Sequence, residues 1–497
     1  MDYLEMLLRL YGAGWSYVLT PYALFLILAG VAVGIVFGGL PGLSSTSALA
    51  LFTPLTFGLS STEAIIFLIA VYNGSIYAGA LSGILVNIPG TPSAVATSLD
   101  GYPMAKRGEA GRAIGIATLA SVLGGALGLT VLMLFSPMLA QVARAFGSWE
   151  YAMLALLGLT LISYVSPSSM TRGLMGGAIG LLLASVGEDP ITAYPRFTGG
   201  LAELGGGFHM VVLMIGLFGI SEVFAQIETP IRVGVTQKVS GVLSSFREIS
   251  GNIGIVGRSA LIGTIIGVLP GAGPTIASIT AYGVAKRLSR ESKQYGLGCP
   301  EGVWAAESAN NASVGGALVP MLTLGIPGDP MTAVLIGALM MHGLAPGPRL
   351  FTEHPHFVSS IFLSFFFALV FIAVLGLMVA RPFAKLLTVP RHIIIAVIAL
   401  LCLIGAYVLQ NSLFDVGVAV LAGFLGWLLR KVDVHAAPIV LGVVLGPMFE
   451  TNLRRALFIS EGSLLPFVTR PVSLVMLIVI LGVLLGPATY RTLKGRG

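Results

Sequence analysis

The sequence predicts an all-α polytopic membrane protein with about 11–12 transmembrane helices, arranged as two inverted repeats with re-entrant hairpins and broken helices. Of its 497 residues, 56% are hydrophobic and only 10% are charged. Soluble domains carry about 25% charged residues. Long windows, such as residues 362–380 and 474–486, are almost wholly apolar, as expected of helices that cross a bilayer. The lipid bilayer is therefore a predicted partner of the chain.

The charged residues and cysteines exclude several other classes of protein. The net charge of +6 comes from basic residues in short loops between apolar segments, so it predicts no nucleic-acid partner. Cys299 and Cys402 have neither a disulfide framework nor metal-ligand spacing, and no metal site is predicted. The first ten residues, MDYLEMLLRL, carry acids where a signal peptide has a basic region. We therefore expect an uncleaved interfacial segment over residues 1–20.

Three motifs recur along the chain in the same order. GGLPGL (38–43) returns as GVLPGA (267–272), and NIPGTP (87–92) returns as GIPGDP (325–330). Between them, residues 62–81 resemble residues 300–318. The last two pairs share one offset, 238 positions (Pro89 to Pro327), whereas the first is offset by 229 (Pro41 to Pro270). Three matches in order predict an internal duplication.

The basic residues predict how the chain crosses the membrane, because short cytoplasmic loops accumulate Lys and Arg. Five segments carry such residues and are predicted to be cytoplasmic. In chain order, their basic residues are Lys106, Arg107 and Arg112 in the first; Arg232, Lys238, Arg247 and Arg258 in the second; Arg381, Lys385 and Arg391 in the third; Arg430 and Lys431 in the fourth; and Arg491, Lys494 and Arg496 in the fifth. The acidic stretch around Asp189 and the segment 342–356 are then outside. The segments after the two broken motifs end on opposite sides, which predicts inverted repeats. A parallel arrangement stays open if one loop breaks the charge rule.

These boundaries divide the chain into five predicted parts. An N-terminal interfacial segment (1–20) precedes the first transmembrane repeat (21–230). A cytoplasmic linker (231–252) leads to the second repeat (253–452). A final helix and a cytoplasmic C-terminus (453–497) follow.

The prolines and glycines of the repeated motifs predict helix breaks at membrane depth. Thr91 and Pro92 can serve as N-cap and first residue of a new helix, and Asp329 and Pro330 can do the same in the second half. Helices broken at matched positions are typical of secondary transporters, in which half-helix N-termini bind the substrate. A proline kink that serves only packing is the alternative at each single site.

Polar residues around the breaks form the predicted substrate site. Asn73 and Asn311 recur at matched positions, and they either line a site or bond between helices. The candidate substrate-binding residues are Pro41, Gly42, Ser44, Ser45, Asn73, Ser75, Pro89, Gly90, Thr91, Pro270, Gly271, Pro274, Thr275, Asn310, Asn311, Ser313, Pro327 and Gly328.

Acidic residues within apolar segments are costly and usually functional. Asp329 is the preferred cation candidate, together with Ser47 and Ser278, although an Asp at this position can also be a helix cap. Glu307 lies deep, whereas Glu63 and Glu301 fall near the interfaces. No cofactor is predicted apart from a coupling cation, and the sequence leaves Na⁺ and H⁺ equally open.

The motifs closely resemble those of the tripartite tricarboxylate transporter large membrane subunit, the TctA family, over essentially the whole chain. The stretches that carry the resemblance are residues 38–59, 72–115, 267–287 and 324–348. The resemblance implies a bacterial inner-membrane permease that takes up carboxylates such as citrate, driven by an ion gradient. It also implies two partners, a small membrane subunit (TctB type) and a periplasmic solute-binding protein (TctC type).

We expect alternating access in this transporter, in an elevator-like form in which hairpins and broken helices move against a scaffold. A stand-alone channel is the main alternative. An enzyme is not expected: GIPGD (325–329) has Ile326 where a membrane aspartyl protease carries glycine, and no HExxH motif occurs.

Overall fold

The fold is almost entirely helical. The computed structural model describes residues 10–165, 169–228, 248–387 and 389–494 and is 81% helical. A two-stranded antiparallel pair, β1 (Gly187–Glu188) and β2 (Pro195–Arg196), lies between helices. Residues 1–9 of the predicted interfacial segment and 231–247 of the predicted linker lie outside the described residues.

The helices of the first half are α1 (Trp15–Val18), α2 (Pro21–Gly39), α3 (Ser45–Phe52), α4 (Ser61–Val86), α5 (Val95–Met104), α6 (Ala110–Ala143), α7 (Ser148–Val165), α8 (Met170–Ala184) and α9 (Met210–Glu228). Those of the second half are α10 (Ile249–Val268), α11 (Gly273–Leu288), α12 (Pro300–Leu324), α13 (Pro330–Met341), α14 (Pro348–Glu353), α15 (Pro355–Leu386), α16 (Arg391–Val408), α17 (Leu413–Lys431), α18 (Ala436–Ile459), α19 (Leu465–Thr469) and α20 (Pro471–Lys494).

Many of these helices have the length and composition of membrane spans. Within the described part of the chain, 8 helices or continuous helical runs are long and apolar enough to cross a bilayer. Shorter apolar helices of 10–17 residues, including α8 and α13, accompany them. The prediction of an all-α polytopic membrane protein is confirmed.

The predicted helix breaks occur at the matched motifs. Asn87 (φ 56°) ends α4, and Gly325 (φ 69°) ends α12, both in the left-handed conformation that commonly terminates helices. Gly42 (φ 91°) and Gly271 (φ 82°) turn the chain between the two helices of each hairpin, α2–α3 and α10–α11. Both halves therefore have left-handed residues at matched positions, where a helix ends or a hairpin turns.

Small residues let each hairpin pack closely on the broken helix of its own half. Gly38 lies against the Ser75 carbonyl, and Gly267 lies against the Ser313 carbonyl in the same way. A side chain on either glycine would collide with that backbone. This is the close helix contact that small residues permit in membrane proteins, and it repeats with the offsets of the sequence motifs.

The two hairpins enter the molecule from opposite faces. The ends of α2–α3 lie beside the segment 342–359, where Gly14 N donates to Ser359 Oγ (3.0 Å) and Thr56 Oγ1 lies 3.2 Å from His342 Nε2. The ends of α10–α11 lie beside the start of α6 instead, where Arg112 Nε donates to Glu248 Oε1 (2.8 Å).

Helix α6 connects these two faces. Arg112 lies near its start, and the carbonyl of Met133 accepts from Tyr11 at the other face (2.6 Å). The 21 residue steps from Arg112 to Met133 correspond to about 30 Å of helix. We call the side of Arg112 and Glu248 the basic face and the side of His342 and Ser359 the opposite face. The arrangement is the one expected of inverted repeats, and the cytoplasmic location of the basic face stays a prediction.

Candidate substrate site

Four chain segments, each at the start of a helix, converge on one cavity of about 270 Å³. They are the first residues of α3, the 3₁₀ turn Pro92–Ala94 that leads into α5, the start of α11 and the start of α13. The lining residues are Ser44, Ser45, Thr46, Ile76, Thr91, Pro92, Ser93, Gly271, Ala272, Gly273, Pro274, Thr275, Ile276, Pro330, Met331, His435, Ala437, Pro438 and Leu441. Both hairpins and both broken helices thus contribute to a single wall.

The helix starts give this cavity a positive electrostatic character. The first turn of a helix has backbone amides without intrahelical partners, and the helix dipole places about half a positive charge there. The lining contains no Lys or Arg, so the amides and hydroxyls are its anion-binding groups. Such helix starts bind phosphate and carboxylate groups well.

The caps of these helices differ from segment to segment. Ser44 Oγ accepts from Ser47 N (3.0 Å) and caps α3. Asp329 Oδ1 accepts from Thr332 N (2.8 Å), while Thr332 Oγ1 accepts from Asp329 N (2.9 Å), forming a capping box on α13. Thr91 occupies the N-cap position of its 3₁₀ turn, but its Oγ1 lies 3.0 Å from Ser93 Oγ and makes no cap bond.

Two polar atoms on the lining residues have no hydrogen-bond partner in the described structure. They are Ser45 Oγ and His435 Nδ1, and both are buried. Buried polar groups are almost always paired. These atoms are therefore the ones most in need of a partner supplied by a bound molecule.

Six of the predicted substrate residues line the cavity: Ser44, Ser45, Thr91, Gly271, Pro274 and Thr275. The other residues of the breaks shape the backbone beside it: Pro41, Gly42, Pro89, Gly90, Pro270, Pro327 and Gly328. Gly271 N donates to Gly328 O (2.8 Å) and ties the second hairpin to the second break.

The predicted polar residues of α4 and α12 are buried but are not on the cavity wall. Asn73 Nδ2 donates to Ile69 O (2.9 Å), and Ser75 Oγ donates to Tyr72 O (2.9 Å). Ser313 Oγ donates to Asn310 O (2.7 Å). Asn310 and Asn311 instead lie beside Glu307, within α12. A ligand role for these five residues stays a prediction.

The three cation candidates make separate contacts. Asp329 caps α13 and accepts a hydrogen bond from the Tyr72 hydroxyl. Ser47 Oγ donates to Phe218 O (3.0 Å), and Ser278 Oγ donates to Ser93 O (2.7 Å). These bonds tie each candidate to a different neighbour, so the described contacts do not gather the three around one point.

One wall of the cavity was not anticipated from the sequence. The start of α18 contributes His435, Ala437, Pro438 and Leu441. This helix has no counterpart in the motif pairs, so the repeated motifs do not point to it. The signal that could have found it is His435 with Pro438, which together open an apolar helix just after the basic pair Arg430 and Lys431.

A second cavity, of about 450 Å³, lies farther along α18. Its lining includes Gly325 at the second break, Arg349 at the start of α14, and Met448 and Asn452 of α18. About 17 positions of α18 separate His435 from Asn452, which corresponds to roughly 25 Å. Helix α18 thus runs from the first cavity, beside Asp433 and Arg172 (2.8 Å), to the second cavity.

An ion-pair cluster fixes the far end of α18 to the β1–β2 hairpin. Arg196 Nη1 lies 2.5 Å from Glu450 Oε1, and Arg454 pairs with Asp189. The backbone amide of Thr192 (2.8 Å) and the Arg454 guanidinium hold the pKa of Asp189 well below its usual range. Because the hairpin lies outside the membrane-spanning segments, this carboxylate is a structural anchor of an exposed loop.

Comparison with known proteins identifies the family of the chain. A protein of Agrobacterium vitis described as "Uncharacterized 52.8 kDa protein in TAR-I ttuC' 3'region" is 37% identical over 470 residues, 94% of this chain and 93% of that protein. A second, "Uncharacterized protein in TAR-II ttuC' 3'region", also from Agrobacterium vitis, is 39% identical over 211 residues, 42% of this chain and 87% of that protein.

No solved structure matches the chain. Residues 24–441 match the family described as "Tripartite tricarboxylate transporter TctA family". That match includes both hairpins, both broken helices and the start of α18. The chain therefore belongs to the TctA family and is a multi-pass membrane component of a tripartite tricarboxylate transporter.

Proposed function

We propose that the chain is the large permease subunit of a binding-protein-dependent secondary transporter that imports a di- or tricarboxylate, such as citrate, across the bacterial inner membrane. The observation that carries the proposal is the convergence of the four helix starts at the repeated motifs, two from each half, on one cavity whose lining has no Lys or Arg. Helix N-termini supply amide donors and positive potential to carboxylates without committing a fixed cation.

The two cavities along α18 support an alternating-access mechanism. The first lies at the end of α18 that follows Asp433, and the second lies near the ion-pair cluster at the other end of the helix. Exposed Arg349 on the second cavity gives an incoming anion a favourable charge. In this proposal the unit of hairpins and broken helices moves against a scaffold, in an elevator-like manner, and exposes the carboxylate site to each side in turn.

The proposal includes two partners and an ion. A small membrane subunit of the TctB type and a periplasmic solute-binding protein of the TctC type complete the assembly, and the C-terminus of the chain is cytoplasmic. A co-transported cation, Na⁺ or H⁺, offsets the charge of the substrate, with Asp329, Ser47 and Ser278 as the sequence-derived candidates. The chain itself carries out no chemical conversion.

Uptake by reconstituted vesicles tests the proposal. The chain and the small membrane subunit are placed in proteoliposomes, the solute-binding protein is added outside, and radiolabelled citrate is measured inside. We expect saturable accumulation against a gradient that requires both the binding protein and an ion gradient. Passive, non-saturable passage without the binding protein would instead indicate a channel.

A pair of variants ties the uptake to the cavity. Thr275→Trp fills the space on the second hairpin, and uptake should fall at least about tenfold because a displaced substrate loses several contacts. Ser463→Trp, at an exposed position after α18, is the matched control and should transport normally. Equal uptake by the two variants would show that the cavity does not hold the substrate.

A further inference from the structure

A carboxylate without a basic partner is buried beside the substrate cavity. Glu307 of α12 is 0% exposed, and its oxygens accept hydrogen bonds only from neutral groups in the described structure. These donors are the Thr97 hydroxyl, Ser121 Oγ (3.0 Å), Asn310 Nδ2 (3.4 Å) and Asn311 Nδ2 (3.3 Å). An ionised carboxylate in such a place is costly unless an opposite charge joins it.

The same cluster has an excess of hydrogen-bond acceptors. Asn310 Oδ1 and Asn311 Oδ1 are both buried, and no donor in the described residues reaches either of them. Each amide therefore gives its nitrogen to Glu307 and leaves its oxygen unpaired. The cluster therefore has two buried amide oxygens, next to one buried carboxylate, that receive no hydrogen bond from the neighbouring side chains.

A rotation of the Asn311 amide converts this cluster into a set of oxygen ligands. Exchanging the amide nitrogen and oxygen puts Oδ1 where Nδ2 lies, 2.7 Å from Ser121 Oγ and 3.3 Å from Glu307 Oε2. Oxygens bound to a hard cation at about 2.3–2.6 Å lie roughly 3.3–3.7 Å from one another when adjacent. The distance from the Asn311 position to Glu307 Oε2 matches this spacing, and the Ser121 hydroxyl, 2.7 and 3.0 Å from these two groups, needs to move outward by a few tenths of an ångström to join them around one cation.

We propose that Glu307, with Ser121, Asn310 and Asn311, forms the Na⁺ site of the transporter, a proposal that rests on the proposed function. A proton would neutralise the carboxylate, but its single O–H could satisfy only one of the two amide oxygens, whereas Na⁺ takes oxygens of all these types. Asp329 is a weaker site because its oxygens already cap α13 and accept from Tyr72.

The site is connected to the substrate cavity through two short paths. Asn310 Nδ2 lies 3.4 Å from the carbonyl of Ile76, a residue of the cavity lining. Thr97 lies about one helical turn beyond Ser93, which also lines the cavity. Bound Na⁺ therefore draws Asn310 and Thr97 toward Glu307 and adds positive potential behind the carboxylate site. Because coupling is reciprocal, Na⁺ and the substrate each strengthen binding of the other.

Thermal unfolding of the full-length chain in detergent tests this site without transport. Equal concentrations of NaCl and KCl keep the ionic strength constant, and a ligand of the folded state raises the melting temperature. We expect Na⁺ at about 100 times its Kd to raise the melting temperature by roughly 3 °C over K⁺. Glu307→Gln should abolish this difference, and Ser121→Ala should raise the half-saturating Na⁺ concentration by about tenfold.

Asp329→Asn is the matched control and should keep the Na⁺ response. A response lost in Asp329→Asn and kept in Glu307→Gln would place the cation at α13 and overturn the proposal. A wild-type chain that is insensitive to Na⁺ would overturn it as well. If Glu307→Gln does not fold, Ser121→Ala decides by the Na⁺ titration alone. A Na⁺ response in a chain that imports no carboxylate would refute the transport proposal and leave the ion site standing.

Discussion

The two broken segments, 87–92 and 325–330, share a backbone but differ in charge. Each ends a buried helix on a left-handed residue and starts a new one with proline at the first position. The first presents Thr91, whose hydroxyl makes no cap bond. The second presents Asp329, which caps α13 and accepts from Tyr72 of the first half.

This difference shows how a duplicated chain can build an asymmetric site. The repeated backbone supplies matched helix starts on one cavity, which suits a substrate with more than one carboxylate. The side chains at those starts then diverge, because the second break has Asp329 where the first has Thr91, and Glu307 is buried in α12 of the second half. Position 69, which matches Glu307 by the 238-residue offset, is Ile69. The two halves thus share the backbone of the breaks, and the second half adds Asp329 and Glu307.

The shared backbone should be the part least tolerant of change. Gly90 and Gly328 lie against the carbonyls of Gly38 and Gly267, so an added methyl group would clash in both halves. We expect Gly90→Ala and Gly328→Ala each to cost about 1–3 kcal/mol or more, measured by thermal unfolding in detergent. Gly283→Ala, with open space around it, is the control and should be neutral. A stable variant in only one half would break the equivalence of the two segments.

Asp329 and Thr91, the residues at the two N-cap positions, should contribute differently to stability. Asp329→Ala removes a helix cap, worth about 1 kcal/mol, and leaves the buried Tyr72 hydroxyl without its acceptor, which costs about 1–3 kcal/mol. Thr91→Ala loses one bond to Ser93 and should cost less than about 1 kcal/mol. The unfolding temperatures of the two variants measure the difference. Equal decreases in unfolding temperature would mean that Asp329 and Thr91 stabilise their segments to the same extent.

Substitutions at two adjacent residues of the first hairpin, Ser44 and Ser45, should affect stability and substrate binding separately. Ser45 Oγ has no partner at the cavity, so Ser45→Ala should raise the KM for citrate several-fold, corresponding to about 1 kcal/mol, with no loss of stability. Ser44→Ala removes the cap of α3 and should destabilise the chain by about 1 kcal/mol. Uptake kinetics and unfolding, measured side by side, should give opposite profiles. A Ser45→Ala variant with wild-type KM would remove this residue from the substrate site.

The smallest expected effect concerns Asp189 in the β1–β2 hairpin, outside the membrane-spanning segments, in contrast to Asp329 within them. Its depressed pKa means that its stabilising bonds are present above the unfolded-state pKa of about 3.9 and are lost as the pH falls through the lower folded-state pKa. We expect protease cleavage within residues 187–207 to be slow at neutral pH and to rise in strong acid. Asp189→Asn should be cleaved faster already at neutral pH, with uptake little changed. Strong loss of uptake would show that the hairpin takes part in transport.

The repeats made much of the site predictable from the sequence. Matched Pro-Gly motifs pointed to the breaks, and the residue types at 329–330 predicted the capped start of α13, because capping is a local property. Pro92 begins a 3₁₀ turn as the first residue, but Thr91 makes no cap bond there. The contact of Tyr72 with Asp329 joins residues 257 positions apart, and no local pattern specifies such a pair. The α18 wall was also missed, since a helix outside the motif pairs gives no internal comparison. Asn310 and Asn311 were found as polar residues, but only packing shows that they surround Glu307.

Substrate protection of cysteines tests whether both halves hold one carboxylate substrate in a common cavity. Ser45→Cys and Thr275→Cys are each introduced into a chain whose buried Cys299 and Cys402 are replaced by alanine, and labelling by a thiol reagent is timed with and without citrate. We predict that citrate slows labelling at both positions, one from each hairpin, and leaves Ser463→Cys unaffected. Protection at only one hairpin, or at neither while uptake persists, would show that the two halves do not hold one substrate in a common cavity.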